Sequence, residues 1–259
     1  MAQTFFTTSN AKFLIKSLPR RFEYTFFSND MLYPYSTHMT THPSSLLVRI
    51  TDFLYTPYLS LGSIIGTAPS HHVVMENVLY GKEQDELKDK WETYDLKPAD
   101  YFYPERDIAG GALTSQETKD RLADIFDDKI RLTQAERDEL IDLLEKDSAL
   151  LESCNAVDYS LFLVRYPSPA GSERDIPSLN SRTTHWRTGI TSSDGKWVYR
   201  AVILDFFWAK HKLQAKAMTA LVKTYNKIAR HGPMSITTSP DEYRRRFLRM
   251  VQSLLEVEA

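Results

Sequence analysis

Two aspartates carry the first chemical possibility in this sequence. Asp158 lies in AVDYS, just before the apolar run SLFLVRY at 160–166, and Asp205 directly follows the very apolar stretch ending AVIL. Both runs read as strands, so the two carboxylates fall at strand ends, where neighbouring strands would let them share one cleft. Phosphoryl transfer uses such a pair. One carboxylate orients or deprotonates the attacking hydroxyl, and the other holds Mg²⁺ on the nucleotide phosphates. Aspartate is also common in turns, and on spacing alone the plainer reading of two turn residues stands beside the chemical one. Lys16 in KFLIKS closes an apolar strand pattern, where an ammonium can face α- and β-phosphates. Glu23 is a candidate helix partner for it, and a solvated strand lysine is the plainer alternative.

A second feature is the segment 206–240. It carries Lys210, Lys212, Lys216, Lys223, Lys227 and Arg230 and not one Asp or Glu. Lys216, Lys223, Lys227 and Arg230 fall on one helical face, with Ala217, Ala220, Leu221 and Ile228 as apolar neighbours. Each basic residue beside an anionic leaflet contributes on the order of 1 kcal/mol, so the set can hold a peripheral protein to an anionic membrane surface. Phe206, Phe207 and Trp208 just upstream suit the interfacial zone. A surface helix with a solvated basic face fits the same residues. No nucleic-acid-binding module is recognisable. His38 and His42 are four apart, but Met39 stands where a zinc motif would place its glutamate. His71-His72 reads as part of a strand edge, and Cys154 as a buried apolar residue.

The elements that must position these groups come from an ordinary globular composition. The chain has 259 residues, 42% hydrophobic and 25% charged, with a net charge of -2. That is enough for one or two packed lobes, and an anionic partner must be held by a local patch. A single cysteine excludes an intramolecular disulfide and fits a reducing compartment. The first residues do not read as a signal peptide. No run approaches the roughly 20 apolar residues that span a bilayer, so membrane contact is expected to be peripheral.

Residues 4–8 and 12–16 read as a short hairpin, 20–40 as a helix, and 46–56 and 72–80 as strands. The polar stretch 81–131 reads as loops and short helices. Thr133 with Glu136 forms a capping box that opens a helix to about residue 153. Asp194-Gly195 is a hairpin signal between strands 184–192 and 196–204. A helix is expected at about 210–228. Ser239-Pro240-Asp241-Glu242 reads as a second capping box, opening a last helix buried through Tyr243, Phe247, Met250, Val251, Leu254 and Leu255. This order suggests an α+β protein in two lobes, divided near residues 75–81.

Taken in order, the segments resemble the phosphatidylinositol-phosphate kinases. KFLIKSL looks like the family's strand with the ATP-contacting lysine, PSSLLVRITDFLY like its N-P-N-S-L-L-P-R-F segment, and HHVVMENVLY like the V-M-x-N-V stretch that joins the lobes. YDLK at 94–97 matches the start of Y-D-L-K-G-S, and AVDYSLFLV the motif M-D-Y-S-L-L-V-G. AVILDFF resembles G-I-I-D-I-L or its D-F variant, and SPDEYRRRF the closing P-x-x-Y-x-x-R-F. These matches are collinear from about residue 4 to residue 255.

The resemblance implies a two-lobed, lipid-kinase-like (SAICAR-synthase-like) α+β fold with antiparallel sheets and flanking helices. It divides the chain into an ATP-binding lobe at 1–77 and a catalytic, lipid-binding lobe at 78–259. It implies ATP and Mg²⁺ as cofactors and a phosphoinositide as substrate, most simply phosphatidylinositol 4-phosphate at the 5-hydroxyl. Lys16 and Lys97 would contact phosphates, Met75, Glu76 and Asn77 would border the adenine, Asp158 would face the inositol hydroxyl and Asp205 would hold Mg²⁺. The segment 206–230 stands where the family keeps its specificity loop. The location implied is cytoplasmic, with peripheral membrane association. The family's glycine-rich turn before the lysine strand has no counterpart here, so the small lobe is expected to be incomplete. The alternative is a catalytically impaired relative that still binds phosphoinositide.

Overall fold

A computed structural model describes residues 5–57, 69–98, 126–169, 184–209 and 239–257. The expected helix at 210–228 lies outside them. Strands β1 (Phe5–Thr7) and β2 (Phe13–Ser17) form the hairpin, and β3 (Ile50–Tyr55) and β4 (His71–Glu76) complete an antiparallel sheet of order β1-β2-β4-β3. A helical segment follows β2: α1 (Arg21–Phe26), a π-helical turn at Phe27–Met31, and α2 (Leu32–Thr41). It buries Phe26, Phe27, Met31 and Tyr35. Phe27 meets Phe53 of β3 on one side and Phe207 on the other.

The second sheet is also antiparallel, with order β5-β8-β10-β9. It consists of β5 (Glu92–Leu96), β8 (Ser160–Pro167), β9 (Ile190–Thr191) and β10 (Trp197–Leu204). Short ladders join β7 (Ala156–Val157) to β11 (Trp208–Ala209) and β6 (Ile130–Leu132) to β12 (Leu255–Val257). Helices α3 (Gln134–Ser153) and α5 (Pro240–Leu254) pack together beside this sheet, and a single turn, α4 (His185–Thr188), precedes β9. The result is the α+β, two-sheet architecture expected from the sequence. None of the helices among the described residues is long and apolar enough to cross a membrane.

The two sheets are stitched at defined points. Leu47 bridges Ile203 of β10, with Val48 donating to the Ile203 carbonyl at 3.0 Å and Ile203 to the Leu46 carbonyl at 2.7 Å. Arg200 of β10 donates to the carbonyls of Val78 and Tyr80, just after β4. Asp147 of α3, 1% exposed, accepts from the Leu46 amide at 2.6 Å and pairs with His38 Nε2 of α2 at 2.6 Å. Removing this carboxylate strands a buried amide and a buried ring nitrogen. Asp147→Ala is therefore expected to cost about 3 kcal/mol, read from the urea midpoint at unchanged slope.

Several expectations are corrected. The polar stretch after residue 81 contains strand β5, missed because an edge strand keeps polar residues on its open side. The run 72–80 is a strand only to Glu76, and residues 46–49 precede β3, with Leu47 in the isolated bridge to Ile203. The stretch 184–192 is not one strand. Thr184 caps α4 by accepting from the Trp186 amide, and β9 keeps two residues. Gly189 makes that corner possible: its φ is 131°, and a Cβ there would meet Val198 Cγ1 at 2.7 Å. His71-His72 lies in β4, between β2 and β3, and the His71 ring stacks on Tyr24 at 3.7 Å. Thr133 and Glu136 make the expected capping box. Ser239 makes no side-chain cap, and Glu242 pairs with Arg246 instead. His38 and His42 stack on one another, and no metal-holding group of three such side chains occurs among the described residues.

Candidate active site

The site forms where two strand pairs lose register. β8 and β10 pair along their whole length, ending at Ser160 opposite Leu204. The short ladder then sets Val157 opposite Trp208 and Ala156 opposite Ala209. Between the ladders each chain kinks, and each kink contains one of the two aspartates. Asp158 has φ 71° and Asp205 φ 64°. Aspartate tolerates this left-handed conformation better than most residues but not freely. Two such residues facing each other across one ladder mark a place where the fold holds backbone strain, which concentrates at functional sites.

Each carboxylate receives a lysine from a different sheet. Leu96 of β5 pairs with Leu161, which brings Lys97 beside the first kink, and its Nζ bonds Asp158 Oδ1 at 2.7 Å. Lys16 of β2 reaches across from the first sheet and bonds Asp205 Oδ1. Lys16 is 1% exposed, and its ammonium lies 5.2 Å from the Phe207 ring and 5.6 Å from Phe5. The four groups alternate in sign and sum to zero. Burial alone would lower the Lys97 pKa, but Asp158, Asp205 and Asp95 together hold it above the ordinary lysine value. Burial likewise pushes Asp205 up, yet Lys16 and Lys97 keep it below the usual 3.8.

The other expected site residues have different places. Lys16 bonds Asp205 rather than Glu23, although its charge still acts on the Glu23 carboxylate. That carboxylate accepts from the Arg20 amide at 3.1 Å, and burial raises its pKa. Met75 and Glu76 end β4 and Asn77 follows it; Glu76 lies three positions along the β2 pairing from Val73, the partner of Lys16, or about 10 Å. The Met75 side chain is buried, the Glu76 carboxylate is spent on the Arg49 amide and Arg187, and Asn77 ties the Ala11 carbonyl to the turn at Leu79. Phe206 and Phe207 are 0% and 4% exposed, so they are core, not an interfacial pair. Trp208 is half-buried, edge-on to Phe22 at 4.4 Å. Lys210, Lys212, Lys216, Lys223, Lys227 and Arg230 lie outside the described residues.

Sequence reasoning missed what supports the kinks. Tyr243 of α5 donates its hydroxyl to the Tyr159 carbonyl, and Phe207 walls one side of Lys16. The Tyr159 ring is fully buried against Tyr243 and Phe247, but its own hydroxyl has no hydrogen-bond partner among the described residues. Tyr159→Phe should therefore be neutral or stabilising by up to about 1 kcal/mol in thermal unfolding.

Could the site hold Mg²⁺? This ion binds through one or two carboxylates, with waters and phosphate oxygens completing six ligands. Asp205, 32% exposed and already facing a cation in Lys16, offers that donor chemistry. The geometry offers two carboxylates and two ammonium groups in one cluster, able to orient a hydroxyl and to neutralise a polyphosphate.

Comparison with known proteins points to a lipid kinase family. The family model described as Phosphatidylinositol-4-phosphate 5-Kinase matches residues 2–254. A probable phosphatidylinositol phosphate kinase of Dictyostelium discoideum is 28% identical over 183 residues, which cover 68% of this chain. The same stretch covers 22% of that relative, so the chain spans less than a quarter of its length.

Proposed function

This chain belongs to the phosphatidylinositol-4-phosphate 5-kinase family, and from that premise we propose that it transfers the γ-phosphate of ATP to the inositol ring of a membrane phosphoinositide. The acceptor is the 5-hydroxyl of phosphatidylinositol 4-phosphate. The observation that carries this reading is the alternating quartet Lys16–Asp205 and Lys97–Asp158 at two facing left-handed kinks.

The roles follow from charge and position. Asp158 orients or deprotonates the ring hydroxyl for in-line attack. Lys16 and Lys97 neutralise phosphate oxygens, Lys16 by leaving Asp205 for the nucleotide. Asp205 would hold Mg²⁺, whose chemistry is to offset charge on the β- and γ-phosphates. Catalysis of this kind is mainly positioning and electrostatics, and the site's strain and burial support both. Glu76 and Asn77 spend their side chains and their backbone amides within the fold, so Met75–Asn77 is assigned a place beside the adenine by packing. The lobes divide at 77/78, and the basic residues between 210 and 230 dock on the anionic leaflet.

Product identity tests the proposal. Vesicles carrying phosphatidylinositol 4-phosphate, phosphatidylinositol 3-phosphate or neither are offered with ATP and Mg²⁺, and soluble inositol phosphates are offered separately. The expected product is phosphatidylinositol 4,5-bisphosphate, formed from the first vesicles at least tenfold faster than any other. A product from the 3-phosphorylated lipid alone, or from a soluble inositol phosphate alone, overturns the substrate assignment.

A further inference from the structure

We propose that Phe5 is a movable cover over Lys16, closing the phosphate side of the quartet and giving way when a nucleotide enters. The inference rests on the reading of Lys16 as a phosphate contact. Strand register places the ring. Phe5 pairs with Lys16 and Lys16 with Val73, and directly opposed residues project from the same face of a sheet. One row therefore runs inward from the edge strand through Phe5, Lys16 and Val73, and its inner end is closed, because Val73 is buried. The Lys16 ammonium lies between the Phe5 and Phe207 rings, within cation–π range of both, and bonds Asp205. A phosphate cannot reach a lysine that is 1% exposed unless something beside it moves.

The other neighbours are held. Phe207 is packed against Phe27 and Phe206. The two sheets are tied by buried guanidinium groups: Arg200 on the Val78 and Tyr80 carbonyls, and Arg187 on Glu76 and on the Ser45 and Leu47 carbonyls. Drawing the sheets apart would strand both charges without these acceptors, which is costly. Phe5 is different. It is 53% exposed, and its strand of three residues is the edge of its sheet, paired with β2 alone among the described residues. So short an edge opens locally at small cost. The ring also keeps water from the Lys16–Asp205 pair, and a Coulomb attraction strengthens as water is excluded. The cover thus holds the ammonium on Asp205, and a polyphosphate that displaces the ring takes the ammonium over.

The test is the rate at which acetic anhydride acylates Lys16 in the free protein, read by mass spectrometry against the exposed Lys146. Phe5→Ala should quicken it about fivefold, the size of one lost cation–π contact. Phe6→Ala weakens the same strand, but Phe6 pairs with Ile15 and projects from the opposite face. Its Lys16 should label at the wild-type rate. Association of a fluorescent ATP analogue, followed by stopped flow, should quicken by a similar factor in Phe5→Ala and not in Phe6→Ala. Unchanged labelling or unchanged association in Phe5→Ala overturns the proposal, as does equal quickening in Phe6→Ala. ATP separates the cover from the reading it rests on. If Lys16 contacts phosphate, ATP slows its labelling in the wild type. No protection by ATP would instead sink the phosphate role of Lys16, whatever the two variants show.

Discussion

Asp158→Asn is expected to lower phosphate transfer about a thousandfold while the protein stays folded and still binds nucleotide. The size follows from losing a positioned carboxylate at the attacking hydroxyl, a role worth 10²- to 10⁴-fold. Asparagine is the informative substitution because of the backbone. Residue 158 sits at φ 71°, and asparagine accepts the left-handed region as aspartate does, whereas alanine would add strain. The amide also keeps an oxygen for the Lys97 ammonium, now 2.7 Å from the carboxylate. Lys97 retains Asp205 and Asp95 as nearby charges, so for this largely buried pair the fold should lose about 1–3 kcal/mol. Circular dichroism and the thermal midpoint check the fold, and single-turnover transfer checks the chemistry. A variant with more than a tenth of wild-type rate would remove Asp158 from the reaction.

Asp205→Asn should abolish the Mg²⁺-dependent part of nucleotide binding. In the wild type, a nucleotide at a hundred times its dissociation constant adds about 2.7 kcal/mol of stability, or roughly 5–10 °C in the thermal midpoint for a chain of this size. With Mg²⁺ that shift should be large in the wild type. In the variant, ATP should give the same small shift with or without the metal. The apo protein should also respond to acid differently. Lys16 and Lys97 hold Asp205 below its ordinary value, so its ionised form stabilises the fold above about pH 4 and the contribution is lost as the pH falls through the lowered value. Asp205→Asn removes that component, and its stability should change less between pH 5 and pH 3. An undiminished Mg²⁺ effect in the variant would rule Asp205 out as the metal ligand.

The aspartate pair was legible because two apolar runs each end beside an aspartate, and strands of that kind pack side by side. Their meeting depends on the register that sets Ser160 opposite Leu204, which no local pattern encodes. The Thr133 capping box and the β1–β2 hairpin were legible for the same reason: their determinants lie within a few residues. The Lys16–Asp205 pair joins residues 189 positions apart; the family resemblance put both residues at one phosphate site, and their pairing came only from the fold. Glu23, the candidate helix partner of Lys16, serves its own helix start. Composition misled at Phe206 and Phe207, because an aromatic pair beside a basic run looks the same in a core as at an interface. Strand β5 was hidden by its polar edge position, and with it the reason Lys97 reaches Asp158. Tyr243 was seen as a buried ring, and its hydroxyl's partner could come only from the fold.

The central claim is that the quartet performs phosphate transfer to a phosphoinositide. Its most direct test is the transfer of labelled phosphate from ATP to vesicles carrying phosphatidylinositol 4-phosphate, run beside Asp158→Asn and beside wild type without Mg²⁺. The account predicts label in the lipid for wild type with Mg²⁺ and its loss in both comparisons. No label in any arm, with vesicle binding that still depends on the lysines between 210 and 227, would contradict it and leave a phosphoinositide-binding protein without catalysis.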